Sequence, residues 1–417
     1  MEHQVNLNQM DGAGRSLLHI AILRADSPAC LFLLRHGIQL NLQTQDAVRD
    51  SALHLLARAP AASSGLAEVA EAILGGGDTK TGAASAADIN LQNAAGETPL
   101  IVAVQLRNER MLQLLLAHGA NLELVSVAGK PALWYALQQQ EEGEEGAEFP
   151  AAARLVSAGA DVSATASAAT GDTLLHALAR EGREAATLFL LSAGAVAVDR
   201  TNRRGETVLH LAAEGGLATL ATALLVAGAD PNLQTGRGAA ADEGEVWRQT
   251  ALHLALEHKQ EAVVSCLLEF SHQPGEENEF ATGRPLDINL KNSEDETPLG
   301  LALGRAGLPH LAAAMLAAGA DVDVRNASGL TLLQQAIAEG KTDAALFLLQ
   351  HGADINMRTP QGLTPLELAV RNRSEEVTPE PVFVDVYGAQ EPIPPAFVVW
   401  RLGTTNRVVI LARQAGN

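Results

Sequence analysis

Residues 202–234 read Asn-Arg-Arg-Gly-Glu-Thr-Val-Leu-His-Leu-Ala-Ala-Glu-Gly-Gly, then Leu-Ala-Thr-Leu-Ala-Thr-Ala-Leu-Leu-Val-Ala-Gly-Ala-Asp-Pro-Asn-Leu-Gln. Gly205 suits a tight turn, and Thr207 can cap a short helix whose apolar positions Leu209, Ala212 and Ala213 recur one turn apart. Gly215 and Gly216 break that helix. A second helix carries Leu217, Leu220, Leu224 and Leu225, and Gly228 stands where a left-handed C-terminal cap is usual.

The rest of the chain copies this unit or departs from it. The place of Thr207 is filled in order by Ser16, Ser51, Thr98, Pro131, Thr173, Thr207, Thr250, Thr297, Thr331 and Thr364. Uninterrupted steps are about 33 to 35 residues, and longer steps mark inserts. The recurring Gly-x-Thr-Pro-Leu-His, two helices and Gly-Ala-Asp resemble the ankyrin repeat. The expectation is all-α: an ankyrin-repeat solenoid of about nine to ten helix-turn-helix repeats with β-turn fingers and several loop inserts. A unit this small cannot bury its own apolar face, so neighbours must share a core.

The copies run over about 11–45, 46–92, 93–125, 126–166, 167–201, 202–234, 235–291, 292–325, 326–358 and a partial 359–374, giving an array over 1–374. Val5-Asn6-Leu7-Asn8 looks like the end of an earlier copy, which makes the chain read as a fragment. In the second copy, 59–65 is expected to widen the helix turn and 75–87 to lengthen the exit. The acidic run 138–150 is expected to be a solvated loop. The seventh copy is flanked by inserts at 235–248 and 271–286. Residues 375–417 are not repeat-like: Pro-rich, with short apolar runs at 382–384, 397–400 and 408–411. Three readings of this tail stay open: a cover for the stack, strands of its own, or no fixed order.

Composition narrows the function. The chain has 417 residues, 47% of them apolar but only 3% aromatic, so Leu, Ala and Val must make the core. A formal charge of -20 and a pI near 5.0 argue against nucleic acid or an anionic membrane surface as partner and favour basic protein patches. Cys30 and Cys266 sit in apolar helix contexts and read as buried thiols in a reducing compartment. No stretch approaches a membrane span.

Twelve histidines raise the question of a metal. His19, His54, His176, His210 and His253 hold the last place of the Thr-Pro-Leu-His signature, where an imidazole can bridge neighbouring turns. His36, His118 and His351 precede the glycine that ends a second helix, where a cation favours the dipole. No pair has metal-binding spacing, so no metal or other cofactor is expected. Gly340-Lys341-Thr342 lacks the first glycine of a phosphate loop, and no catalytic constellation is present.

Partner binding is therefore the leading expectation. Trp247 and Phe280, aromatics within the inserts, are the candidate anchors; Trp134, at a signature histidine position, reads as packing. The family resemblance also implies asparagine hydroxylation at Asn41, Asn232 and Asn356, each with a leucine eight residues earlier (Leu33, Leu224, Leu348). The order of regular and inserted copies from 202 to 373 further resembles the array of endosomal relatives that add a BTB domain and a phosphoinositide-binding FYVE finger. That implies an effector of an early-endosomal Rab GTPase in endocytosis and macropinocytosis, cytoplasmic and endosome-associated, without an enzyme's activity. The FYVE cysteines are missing here, so zinc and direct membrane binding do not carry over. Glu148-Phe149-Pro150 stands where those relatives have Asn-Pro-Phe, which puts EH-domain partners in doubt. The alternatives are a generic cytosolic adaptor or inhibitor, and an enzyme completed by the tail.

Overall fold

The computed structural model describes residues 6–60, 64–75, 87–139, 141–143, 146–166, 169–194, 197–236, 248–271, 284–305, 307–371, 380–382, 397–401 and 411–413. The fold class is all-α, built from helix pairs in two compact units, Met1–Ala197 and Val198–Asn417.

The first unit holds five pairs: α1 (Leu17–Leu23) with α2 (Ser27–Arg35), α3 (Ala52–Arg58) with α4 (Ser64–Leu74), α5 (Pro99–Gln105) with α6 (Glu109–Ala117), α7 (Ala132–Leu137) with α8 (Pro150–Ser157), and α9 (Leu174–Arg180) with α10 (Glu184–Ala193). The second unit holds α11 (Val208–Gly215) with α12 (Ala218–Val226), α13 (Ala251–Glu257) with α14 (Glu261–Ser271), α15 (Pro298–Leu303) with α16 (Pro309–Ala317), α17 (Leu332–Ala338) with α18 (Thr342–Gln350), and the lone α19 (Pro365–Arg371). First helices α1, α3, α5 and α7 pack side by side in one unit, and α11, α13 and α15 do so in the other.

Each first helix starts one residue after its Ser, Thr or Pro. Thr98, Thr173, Thr207, Thr250, Thr297 and Thr331 accept the backbone N–H three residues on, which satisfies a donor the helix cannot. The carbonyls at the other end are met by the following copy: the Asn108 amide donates to Ala57 at 3.1 Å, Gln139 to Val104 at 2.7 Å and Arg183 to Gln138 at 3.1 Å. Leu100, Leu133, Leu209, Leu252, Leu299 and Leu333 are buried at one repeat position, and Leu115, Leu155, Leu190, Leu224, Leu267 and Leu348 at another. Neighbours thus supply both the apolar cover and the missing hydrogen bonds.

Two expectations need correction in extent. The helix turn of the second copy is widened as expected, but α4 starts at Ser64 and takes Ser64 and Gly65 into the helix. A Cβ on Gly65 would collide with the Ser27 hydroxyl of α2, so the missing side chain is what lets the two helices approach. The acidic run is not all loop: β1 (Glu141–Gly143) pairs antiparallel with β2 (Gly146–Glu148), matching Glu141 to Glu148. Phe149 then turns inward, is buried, and lies 5.4 Å from the ring of Phe189. One apolar residue at the end of an acidic insert anchors what charge alone would leave in solvent. In the tail, β3 (Glu380–Val382), β4 (Phe397–Arg401) and β5 (Leu411–Arg413) form an antiparallel sheet in that order.

Candidate interaction surface

The signature histidines are structural links. Ser51 N–H donates to His54 Nδ1, which leaves the ring proton on Nε2, and Nε2 donates to the Glu97 carbonyl of the next copy at 2.8 Å. His210 reaches the Leu233 and Gln249 carbonyls at 3.0 and 3.1 Å, and His253 reaches Glu296 at 3.1 Å. Burial disfavours the imidazolium, so His19 and His54 titrate below the usual range and His253 at about 4. Gln334 fills the place in the ninth copy, accepting from Thr331 N–H and donating to the Met357 carbonyl. His36 and His351 cap their helices instead, each 2.8 Å from a carbonyl one turn back and stacked on Phe32 or Phe347.

The fingers ahead of the first helices are stitched by backbone. Gln45 N–H donates to Gly14, Ala94 to Val48 and Val127 to Ala95 in the first unit, and Gly236 to Arg204 in the second. Behind them runs a row of side-chain acceptors, each taking the backbone N–H of the following copy: Asn8 from Gln39, Asn41 from Asp88, Asn90 from Asn121 and Glu123 from Asp161. The second unit repeats it with Asp199 from Asp230, Asn232 from Asp287, Asn289 from Asp321 and Asp323 from Asp354. Burial and the neighbouring Asp354 and Asp321 carboxylates raise the Asp323 carboxyl.

Two of the three hydroxylation candidates therefore sit on rungs. Asn232 is held twice, donating to the Pro285 carbonyl at 2.7 Å and accepting from Asp287 at 2.6 Å. Asn41 accepts from Asp88 at 2.7 Å. Asn356 is exposed, and among the described residues no rung runs from its side chain to a later copy. Leu33, Leu224 and Leu348 are all buried. Trp247 and Phe280 lie outside the described residues. Trp134 packs as expected, buried with Lys130 Nζ 3.6 Å from the ring centroid. Cys30 is buried and its thiol is pushed up to about 11, whereas Cys266 is only half-buried, 3.0 Å from the Thr222 hydroxyl.

The surface that sequence reasoning missed is apolar. Among the described residues, Leu17, Leu23, Phe32, Val48, Leu106, Val125 and Val127 are exposed in the first unit, against Val226 in the second. Val48 and Val127 tip the fingers, Val127 with 80% of its surface open, and Leu23 and Leu106 end first helices. The legible signal was a non-glycine residue, Ala25 or Arg107, at the helix turn where other copies have glycine. In the second unit the fingers instead border a cavity of about 320 Å³ lined by Thr201, Gly205, Asn232, Leu233, Gln234, Asp287 and Leu290. Among the described residues no group of three His, Cys, Asp or Glu side chains is placed to hold a metal, and no helix is long and apolar enough to cross a membrane.

Comparison with known proteins agrees with this architecture. The family "Ankyrin repeats (3 copies)" matches residues 59–165 and 299–379, and "Ankyrin repeats (many copies)" matches 190–242. Rabankyrin-5 of Mus musculus is 36% identical over 371 residues and that of Homo sapiens 36% over 369, in both cases covering 81% of this chain. The chain spans 30% of the length of these curated relatives. The crystal structure of the ankyrin repeat domain of Bcl-3 is similar at 25% identity and a TM-score of 0.43, covering 53% of this chain and 88% of that one.

Proposed function

Because the chain belongs to the ankyrin-repeat family, a family of protein-binding arrays, we propose that it is a non-enzymatic interaction scaffold within an early-endosomal Rab effector serving endocytosis and macropinocytosis. The observation that carries this reading is the 36% identity to Rabankyrin-5, which extends over 81% of the chain rather than over one or two copies. The exposed apolar fingertips and helix ends of the first unit support it, since grouped apolar side chains in solvent are a cost that contact with a partner removes. The test is binding of the purified chain to early-endosomal Rab GTPases loaded with a GTP analogue or with GDP. Selective binding of the GTP form is expected; equal or absent binding to both overturns the Rab contact for this chain.

Hydroxylation is proposed to follow accessibility, Asn356 before Asn41 and Asn232, because an amide held on a rung must break it to enter an enzyme. Mass spectrometry of chain isolated from cells reads the order directly. Modification concentrated at Asn41 or Asn232 would reverse it.

A further inference from the structure

Within the second unit, neighbouring copies are joined at the signature place. His210 of the sixth copy reaches the Leu233 and Gln249 carbonyls, His253 of the seventh reaches the Glu296 carbonyl at 3.1 Å, and Gln334 of the ninth donates to the Met357 carbonyl at 2.7 Å. The eighth copy has Gly300 there. Leu332 of the ninth copy leans over it, so that a Cβ on Gly300 would lie 2.9 Å from Leu332 Cδ2. Thr297 still accepts from the Gly300 N–H, so the helix starts as in the other copies and only the forward link is lost.

Other fastenings are missing at the same junction. The sixth and seventh copies are joined at the fingertips, where Gly236 N–H donates to Arg204, and at the helix end, where the Gln260 amide donates to the Glu214 carbonyl at 3.3 Å. Between the eighth and ninth, among the described residues, no backbone bond runs from 327–329 to 293–295. Lys341, which stands where Gln260 does, pairs with Glu339 of its own copy at 2.8 Å. Two bonds remain, both at the finger base: Asp321 N–H donates to Asn289 at 2.8 Å and Lys291 Nζ to the Arg325 carbonyl at 2.6 Å. Apolar packing divides at the same place. Leu333, Ala336, Ala345, Leu348 and Ala353 form a core of their own, met from the eighth copy by the partly buried Leu303 and Val322, and α17 packs on α18 and α19. A cleft of about 10 Å³ between the two copies is lined by Glu296, Gly300, Asn326, Leu332 and Gln335. Glu296 Oε2 is buried without a hydrogen-bond partner, and Gly304 stands where Gln105 donates to Glu97 in the third copy.

We propose that this junction is a hinge: copies nine and ten swing open as one unit about the finger base, while copies six to eight stay closed. The two surviving bonds lie along one edge, which makes that edge the axis. The rest of the junction is held by apolar contact alone, Leu332 on Gly300 and Leu303 and Val322 on the separate core. Stacked copies draw their stability from their neighbours, so the least-linked junction decides where an array divides. A partner that touches both sides of the cleft favours the closed form, which ties its binding to the bend of the array. The hinge does not depend on which protein that partner is.

Hydrogen exchange of the full chain, followed by mass spectrometry, reads the opening. Peptides from 332–350 are expected to exchange together, about a hundredfold faster than those from 208–226 and 251–268, with 298–303 and 309–317 remaining slow. Fraying from the end of an evenly linked array would give a gradient with no step between 317 and 332. Gly300→His and Gly300→Gln each offer the forward link again, since the Leu332 methyl in their way is the free end of a flexible side chain. At least one of them should slow 332–350 about tenfold relative to Gly300→Ala, which adds helix propensity but no link, and leave 208–226 unchanged. A gradient without a step, exchange of 332–350 as slow as that of 208–226, or slowing by neither variant beyond Gly300→Ala overturns the hinge.

Discussion

In the sixth copy the turn after α11 is Gly215–Gly216, with Gly216 at φ 72°; in the third the turn after α5 is Leu106–Arg107, with Arg107 at φ 55°. The helices on either side bury the same repeat positions, Leu209 and Leu224 in one copy and Leu100 and Leu115 in the other. One copy ends its first helix in a shape that glycine takes freely, and the other puts an arginine into that shape after an exposed leucine. The shared positions tell what the fold needs. The differing ones set what each copy shows to solvent.

The largest expected contrast is between the two kinds of leucine. Leu225 is 3% exposed in the core under α12, and Leu225→Ala should lower stability by about 2 to 5 kcal/mol through lost burial and a cavity. Leu106→Ala, at a site already half in solvent, should change it by less than about 0.5 kcal/mol. Urea unfolding of both variants reads the difference. Comparable losses would mean that Leu106 belongs to the core and the comparison is void.

A second contrast concerns the link between copies. The third copy carries buried Ile101 where the sixth and seventh have His210 and His253. Neutral His253 accepts from Thr250 N–H and donates to the Glu296 carbonyl, so a second ring proton would point donor against donor. Its folded-state value of about 4 lies below the ordinary 6.5, so the unfolded chain binds the proton first. Stability present above pH 6.5 is therefore lost as pH falls toward 4, by about 3 kcal/mol in full. The Glu296 carboxyl, raised by burial, works the opposite way at the acid end, so the informative quantity is the difference from a variant. Gln334 already makes the same two links with no titrating group. His253→Gln should match the parent at pH 7.5 and melt higher than it at pH 5; a parallel fall in both would assign the acid sensitivity elsewhere.

The repeat was legible because it is written in caps and spacings that act locally. Ser16, Ser51, Thr98 and Thr207 fix helix starts by bonds within three residues, and sequence periodicity sees those directly. The inward turn of Phe149 was not legible, because its partner Phe189 is forty residues away. Nor was the inclusion of Gly65 in α4, which depends on Ser27 approaching it. The left-handed arginines Arg49 and Arg107 escaped because they are defined against the other copies: an arginine looks ordinary until the left-handed position it fills is known. Trp247 and Phe280 were chosen for their size within inserts, a criterion that says nothing about backbone strain.

The smallest expected effect tests that last point most closely. At Gly216 the backbone is left-handed, so Gly216→Ala should cost about 1 kcal/mol; the added Cβ meets the flexible end of the Gln260 side chain, which can move aside. At Arg107 the same backbone already carries a side chain, and Arg107→Gly should return up to about 1 kcal/mol by relieving it. The two substitutions run in opposite chemical directions at one repeat position, so opposite signs are expected from a single cause. Glycine's extra freedom in the unfolded chain shrinks both effects, the benefit at Arg107 and the penalty at Gly216. Paired melting curves decide it. A destabilised Arg107→Gly would mean that what the guanidinium holds within the protein outweighs the strain of its backbone.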